Sequence, residues 1–235
     1  MHLKQLKQLG LTAVSATLAI CAYPVQLPAV AAATAPSQAS INRLAQANDQ
    51  IERLFQQGRD LLESGKPAAA LVIFDQIVKA APNYVNGWLG RGLALYDLER
   101  FKESVTAFQR ATQLRPDLAF AWMGLGNALD DAGQPEAALK AYERGLQLEP
   151  KNAVIWFNQG ITLQRLKRYS EALSAYDQAI AHSPNFERAW FSRGVVLVQL
   201  QRYPEAIAAM EQTLKINPNN QKAQEALELL RRQVG

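Results

Sequence analysis

Two groups of residues have the types and spacing that chemistry uses. Asp130 and Asp131 are adjacent carboxylates, the raw material of a general acid–base pair. Gly87, Gly90 and Gly92, with Gly124 and Gly126 further on, have the density of a phosphate-cradling loop. Neither reading survives its context. Neighbouring residues on a helix point apart, so the aspartates read as a solvated face. The glycines fall inside helical segments, not at the mouth of a helix that follows a strand. Histidine occurs only at His2 and His182 and cysteine only at Cys21, too few for a His-based triad, a zinc cluster or a thiol site in the body of the chain. His182 reads as a polar residue just before the Ser183-Pro184 break. The expectation is a protein with no catalytic residues, no cofactor and no metal.

The segments that hold these residues repeat. Pro82, Pro116, Pro150, Pro184 and Pro218 stand in arithmetic progression along the chain. In that register Trp88, Trp122, Trp156 and Trp190 share one position, and Gly58, Gly92, Gly126, Gly160 and Gly194 lie four places on. A fixed period of roughly 20–50 residues marks a solenoid, in which each unit stacks on its neighbours. Five units result, 51–84, 85–118, 119–152, 153–186 and 187–220. In the second, Trp88, Gly92 and Leu95 have helical spacing, Glu99-Arg100 interrupts, and Phe101, Val105, Phe108 and Ala111 resume it. Each unit is therefore two helices and a turn, closed by a proline that cannot continue the hydrogen-bond ladder. Asn83, Asp117, Asn152, Asn185 and Asn219 supply turn chemistry beside the prolines. A glycine inside a helix costs about 1 kcal/mol relative to alanine, so its recurrence implies a recurrent need. The expected need is close approach to the second helix at Ala70, Ser104, Ala138, Ala172 and Ala206.

The segment 1–33 reads as a secretory signal peptide. Lys4 and Lys7 precede an uncharged run from Leu9 to Ala22, too short to span a bilayer, and A-x-A sites follow between Ala29 and Ala35. The expectation is cleavage between Ala31 and Ala35 and an extracytoplasmic location: periplasm, lumen or secreted. Membrane attachment would require a retained N-terminal segment or lipidation of Cys21, and the bulky Ile20 before that cysteine counts against the latter. Residues 34–50 are read as a linker and an extension of the first helix, and 221–235 as a capping helix in which Gln224 and Glu228 replace tryptophan and glycine. The formal charge of +4 includes Lys4 and Lys7, so the remainder is close to neutral. With no basic run, nucleic-acid binding is not expected.

The residues at these positions resemble the tetratricopeptide repeat, whose signature W-x2-L-G-x2-Y…A-x3-F…P spans about 34 residues. Trp122, Leu125, Gly126, Leu129, Ala138, Tyr142 and Pro150 carry it in the third unit, and Trp156, Gly160, Leu163, Ala172, Tyr176, Ala179 and Pro184 in the fourth. Leu54 replaces tryptophan in the first unit, and Gln57, Arg91, Gln159 and Arg193 replace the leucine before the glycine. The resemblance implies an all-α, right-handed α-solenoid of five helix-turn-helix repeats plus the capping helix. It also implies a concave groove lined by first helices, at repeat positions 2, 5, 6, 9, 12 and 13. Carried over, the groove positions include Phe55, Leu89, Met123, Phe157 and Phe191 at position 5, and Arg59, Leu93, Asn127, Ile161 and Val195 at position 9. Tyr96 and Asp130 follow at position 12 and Arg165 at position 13. Acid gathers in repeats 1 to 3, at Glu63, Asp97, Asp130 and Asp131, and apolar residues dominate repeats 4 and 5. The apolar position 5 departs from family members that clamp a C-terminal carboxylate with lysine there. Position 5 is also where first helices pack on one another. The function expected is a non-catalytic interaction scaffold or assembly factor that binds a peptide or amphipathic helix of a larger protein complex. The alternative is a self-associating structural component of the cell envelope. The oligomeric state is left open.

Overall fold

The computed structural model describes residues 37–234, and the leader read over 1–33, with Cys21, lies outside them. Among the described residues every regular element is a helix. In chain order these are α1 (Gln38–Glu63), α2 (Pro67–Ala80), α3 (Val85–Asp97), α4 (Phe101–Leu114), α5 (Ala119–Asp131), α6 (Pro135–Leu148), α7 (Ala153–Arg165), α8 (Tyr169–His182), α9 (Glu187–Gln199), α10 (Tyr203–Ile216) and α11 (Gln221–Val234). The chain divides into two compact units between Gly133 and Gln134. In the first unit the helices α1 to α5 pack each on the next, and α1, α3 and α5 also touch in sequence. In the second, α6 to α11 do the same, with α7 against α9. This is the α-solenoid arrangement.

An aromatic or large side chain from the second helix forms the core of its repeat, and helical glycines make room for it. In the first unit Phe74 and Phe108 are buried, at 0% and 1% exposure. A Cβ on Gly58 would stand 2.8 Å from the Phe74 ring, and one on Gly90, from the next repeat, 2.2 Å. Gly92 and Gly124 enclose Phe108 in the same way, at 2.9 and 2.4 Å. Each ring thus lies between its own first helix and the following one. The expected glycine partner was the small residue on the second helix, and the structure corrects this: the side chain that needs the space is the ring. The small residues are nevertheless fully buried, and in repeat 2 the Ser104 hydroxyl donates to the Gly92 carbonyl at 2.7 Å.

The second unit varies the same device. A Cβ on Gly160 would meet Tyr176 at 2.6 Å, and one on Gly194 would meet Met210 at 2.7 Å. Where repeat 3 has Gly124 against Phe108, repeat 5 has Ser192 against Tyr176, whose hydroxyl also donates to Gln164 Oε1 at 2.9 Å. A polar tip therefore comes with polar neighbours. Burial pushes the Tyr176 phenol well above its ordinary pKa, so it remains a neutral donor.

Three recurrent joints set the geometry between helices. Within a repeat the chain turns through a left-handed residue: Gly65, Glu99, Gly133, Lys167 and Gln201 have φ from 58° to 79°. Bonds such as Lys66 N–H to Leu61 O (2.8 Å) and Arg100 N–H to Leu95 O (2.9 Å) close the preceding helix in a Schellman motif. Between repeats, the residue before each proline is held out of the helical region, with φ between −130° and −142°. The tryptophan six places beyond each proline then donates its indole N–H to the proline carbonyl, at 2.9 Å for Trp88, Trp122 and Trp156 and 2.8 Å for Trp190. In α11 the Gln224 amide makes the equivalent bond to Pro218 O at 2.7 Å. The capping residue that reads as a simple polar replacement thus keeps the tryptophan's hydrogen bond. The arginines before the helical glycines are ordered too. Arg91 pairs with Asp75 and Arg193 with Asp177, both at 2.6 Å, linking a first helix to the second helix of the preceding repeat.

Candidate functional site

Thirteen positions were expected to line a partner groove, and the structure distributes them by depth within each unit. In the first unit Phe55 is fully buried, its ring edge-on to Tyr84 at 5.9 Å and tilted against Phe74 at 6.3 Å. Leu89 and Leu93 are buried as well. Met123, Asn127, Asp130, Tyr96 and Arg59 are half-buried and keep surface to offer. Arg59 pairs with Glu63 at 3.5 Å. Tyr96 donates its hydroxyl to Asp131 and rests on Phe101, ring centroids 5.4 Å apart. Asp130 and Asp131, expected as a solvated face, are in fact half-buried, and Asp131 is an acceptor for Tyr96. Desolvation lifts the neighbouring Asp97 carboxyl above its ordinary range.

In the second unit Phe157 is buried at 2% exposure, against Tyr176 (5.8 Å) and Phe186 (4.9 Å). Val195 is buried too, whereas Ile161 and Phe191 are half-buried and Arg165 is exposed. Position 5 therefore serves mainly the stack at Phe55, Leu89 and Phe157, and leaves accessible apolar surface at Met123 and Phe191. Val154 and Arg188, at groove position 2, were not singled out from the sequence. Val154 is 45% exposed, and the Arg188 guanidinium lies over the Phe157 ring, 4.9 Å from its centroid. The register of the repeat would have found both, because position 2 belongs to the same helical face as position 5.

Among the described residues no group of three or more His, Cys, Asp or Glu is placed to hold a metal, and no helix is long and apolar enough to cross a membrane. His182 is the exposed last residue of α8. What the faces offer is contact: apolar side chains at partial exposure, bordered by fixed charges.

The tetratricopeptide-repeat family model matches residues 55–119, 123–185 and 157–221. The chain belongs to the tetratricopeptide-repeat family. No curated protein matches it in sequence. Among solved structures it is similar to a crystal structure of MamA, at 23% identity and TM-score 0.64 over 70% of this chain and 96% of that one. A MamA chain from Desulfovibrio magneticus RS-1 matches at 19% identity and TM-score 0.66, over 74% of this chain and 98% of that one. YrrB, described as a TPR protein with an unusual peptide-binding site, matches at 20% identity and TM-score 0.62, over 77% and 97%. At these identities the likeness is one of fold.

Proposed function

We propose that this chain is a non-catalytic protein-interaction scaffold, working outside the cytoplasm, that holds an amphipathic peptide or helix of a partner protein against its first-helix faces. The observation that carries the proposal is apolar first-helix surface left partly exposed in each unit, at Met123 in the first and at Ile161 and Phe191, with the exposed Val154, in the second. A partly exposed apolar helix face fits a helix laid apolar face inward. Membership of a family of interaction modules supports the reading, as does the peptide-binding site ascribed to the structurally similar YrrB. The leader-like N-terminus supports the location.

The test is photo-crosslinking from a probe at the exposed Val154 in the native cell, comparing the protein with and without Phe191→Ser. Phe191 is the informative substitution because it is half-buried. Phe157→Ser would empty a core site and cost about 3 kcal/mol or more, confounding binding with folding. A discrete partner lost from Phe191→Ser, with the melting temperature unchanged, is the expected result. Identical crosslinks from both proteins, or copies of the chain alone, would refute it. Fractionation that leaves the protein in the cytoplasm would refute the location separately.

A further inference from the structure

Positions 3, 6 and 10 of a repeat lie on the face of its first helix that receives the second helix of the repeat before. In α3 these are Gly87, Gly90 and Ala94, all buried, and a Cβ on Gly87 would stand 2.7 Å from Ile77 of α2. In α5 they are Ala121, Gly124 and Ala128, again buried, with Phe108 of α4 against Gly124. Small residues stand there because a covering helix leaves no room for larger ones. No helix precedes α1 among the described residues, and at the same positions it carries Arg53, Gln56 and Asp60, all exposed. With Gln57 they share one face, since they are spaced by three, four and seven residues on a helix. A depression on that face is lined by Arg53, Gln56, Gln57, Asp60 and Leu61, among others. The side chains of Arg53, Gln56, Gln57 and Asp60 make no hydrogen bond and no ion pair among the described residues. By contrast, Arg91, Arg100, Arg168, Arg193 and Arg202 are each matched to a carboxylate.

A face left polar only to be wetted requires no particular order of charge. This one has an order: a cation and an anion two turns apart, about 10 Å along the axis, with two amides midway between them. Turned end for end, the row of groups is its own complement. That is the requirement of an isologous two-fold contact, in which residue i of one copy meets residue j of the other and j meets i. We propose that this face of α1 is a homodimer contact, in which two copies lay α1 antiparallel so that Arg53 of each meets Asp60 of the other and Gln56 meets Gln57 across the axis. Glutamine amides, each both donor and acceptor, close the centre. The register overlaps α1 over residues 50–63, about four turns. Its occupant is a second copy and not a helix of another protein, because the complement of the face is the face itself. The contact goes beyond the scaffold reading and uses none of the residues assigned to the partner face.

The experiment is sedimentation equilibrium of the full chain over a range of concentrations, in parallel with Arg53→Asp, Asp60→Arg and the variant carrying both. The parent is expected to rise reversibly from the mass of one chain to that of two, and to dimerise less as salt screens the exposed charges. Arg53→Asp makes the face wholly acidic and Asp60→Arg wholly basic, so each alone should dimerise at least roughly tenfold more weakly, equivalent to about 1.4 kcal/mol. Mixed in equal amounts, the two should pair with each other at least as well as the parent pairs with itself, and the double variant should dimerise like the parent. All four proteins should melt alike, because both positions are exposed. A parent that stays at the mass of one chain throughout would overturn the proposal. So would association that both single variants retain undiminished, or a mixture that pairs no better than its separate components.

Discussion

Gly90→Ala isolates the central packing device of this fold. A β-carbon there would stand 2.2 Å from Phe74 Cε1 and 2.4 Å from Cζ, far inside van der Waals contact. The ring cannot retreat, because a Cβ on Gly58 would be only 2.8 Å from its other side and the Phe55 ring lies 6.3 Å away. Overpacking of a filled core costs about 1–3 kcal/mol, and this site belongs at the upper end. Helix propensity returns about 1 kcal/mol for replacing glycine by alanine. The net loss is therefore about 2 kcal/mol, while Gly58→Ala, whose Cβ at 2.8 Å also crowds the ring, should lose less, about 1 kcal/mol. Urea unfolding followed by far-ultraviolet circular dichroism reads the difference as a lower midpoint for Gly90→Ala. Phe74→Leu in the same chain should recover at least about 1 kcal/mol of that loss as a coupling between the two sites. A Gly90→Ala protein as stable as the parent, or losses that simply add in the double variant, would refute the account of a ring gripped between consecutive first helices.

Three further outcomes follow from the joints. Glu99, Lys167 and Gln201 hold φ of 58–60°, which glycine adopts without penalty, so each changed to glycine should raise the urea midpoint by the equivalent of about 1 kcal/mol. Trp156→Phe removes the bond to the Pro150 carbonyl and should cost about 1 kcal/mol, and Gln224→Leu a similar amount at Pro218, both measurable by thermal melting. Glu103, Glu171 and Glu205 hydrogen-bond to Arg100, Arg168 and Arg202, which holds their carboxyls below the ordinary glutamate pKa. A depressed carboxyl contributes stability above its unfolded value, and that contribution fades as pH falls through the folded one. Carbon-detected NMR titration should place all three below free glutamate, and Arg100→Gln should return Glu103 alone to the usual range.

The repeat was legible because its marks are local. A proline ends a helix wherever it stands, and a tryptophan, glycine and proline recurring at one constant interval announce one unit copied. What escaped the sequence required knowing which side chain crosses to which. The helical glycines advertised a close approach, but whether to Ala70 or to Phe74 depends on how the second helix is rotated, a tertiary quantity. Position 5 carries the same ambiguity: Phe157 and Phe191 occupy equivalent places, yet Phe186 and Arg188 cover the first and leave the second half-open. Arg91 and Arg193 read as misfits at a leucine position until Asp75 and Asp177 are seen opposite them. Gln224 looked like a polar stop because its hydrogen bond to Pro218 is a property of backbone geometry that no pattern of residue types encodes.

The ring enclosed by two glycines also orders events in time. A chain is made from its N-terminus, and domains begin to fold as they emerge. When the helix bearing Phe74 is complete only one wall of its site exists, and the second arrives with Gly90, a helix later. Phe108 waits in the same way for Gly124. Each such repeat thus passes through a stage with an aromatic ring open on one side, and the nascent chain carries an exposed apolar site at its growing end. By the same order α10 waits for α11, the helix that packs against it.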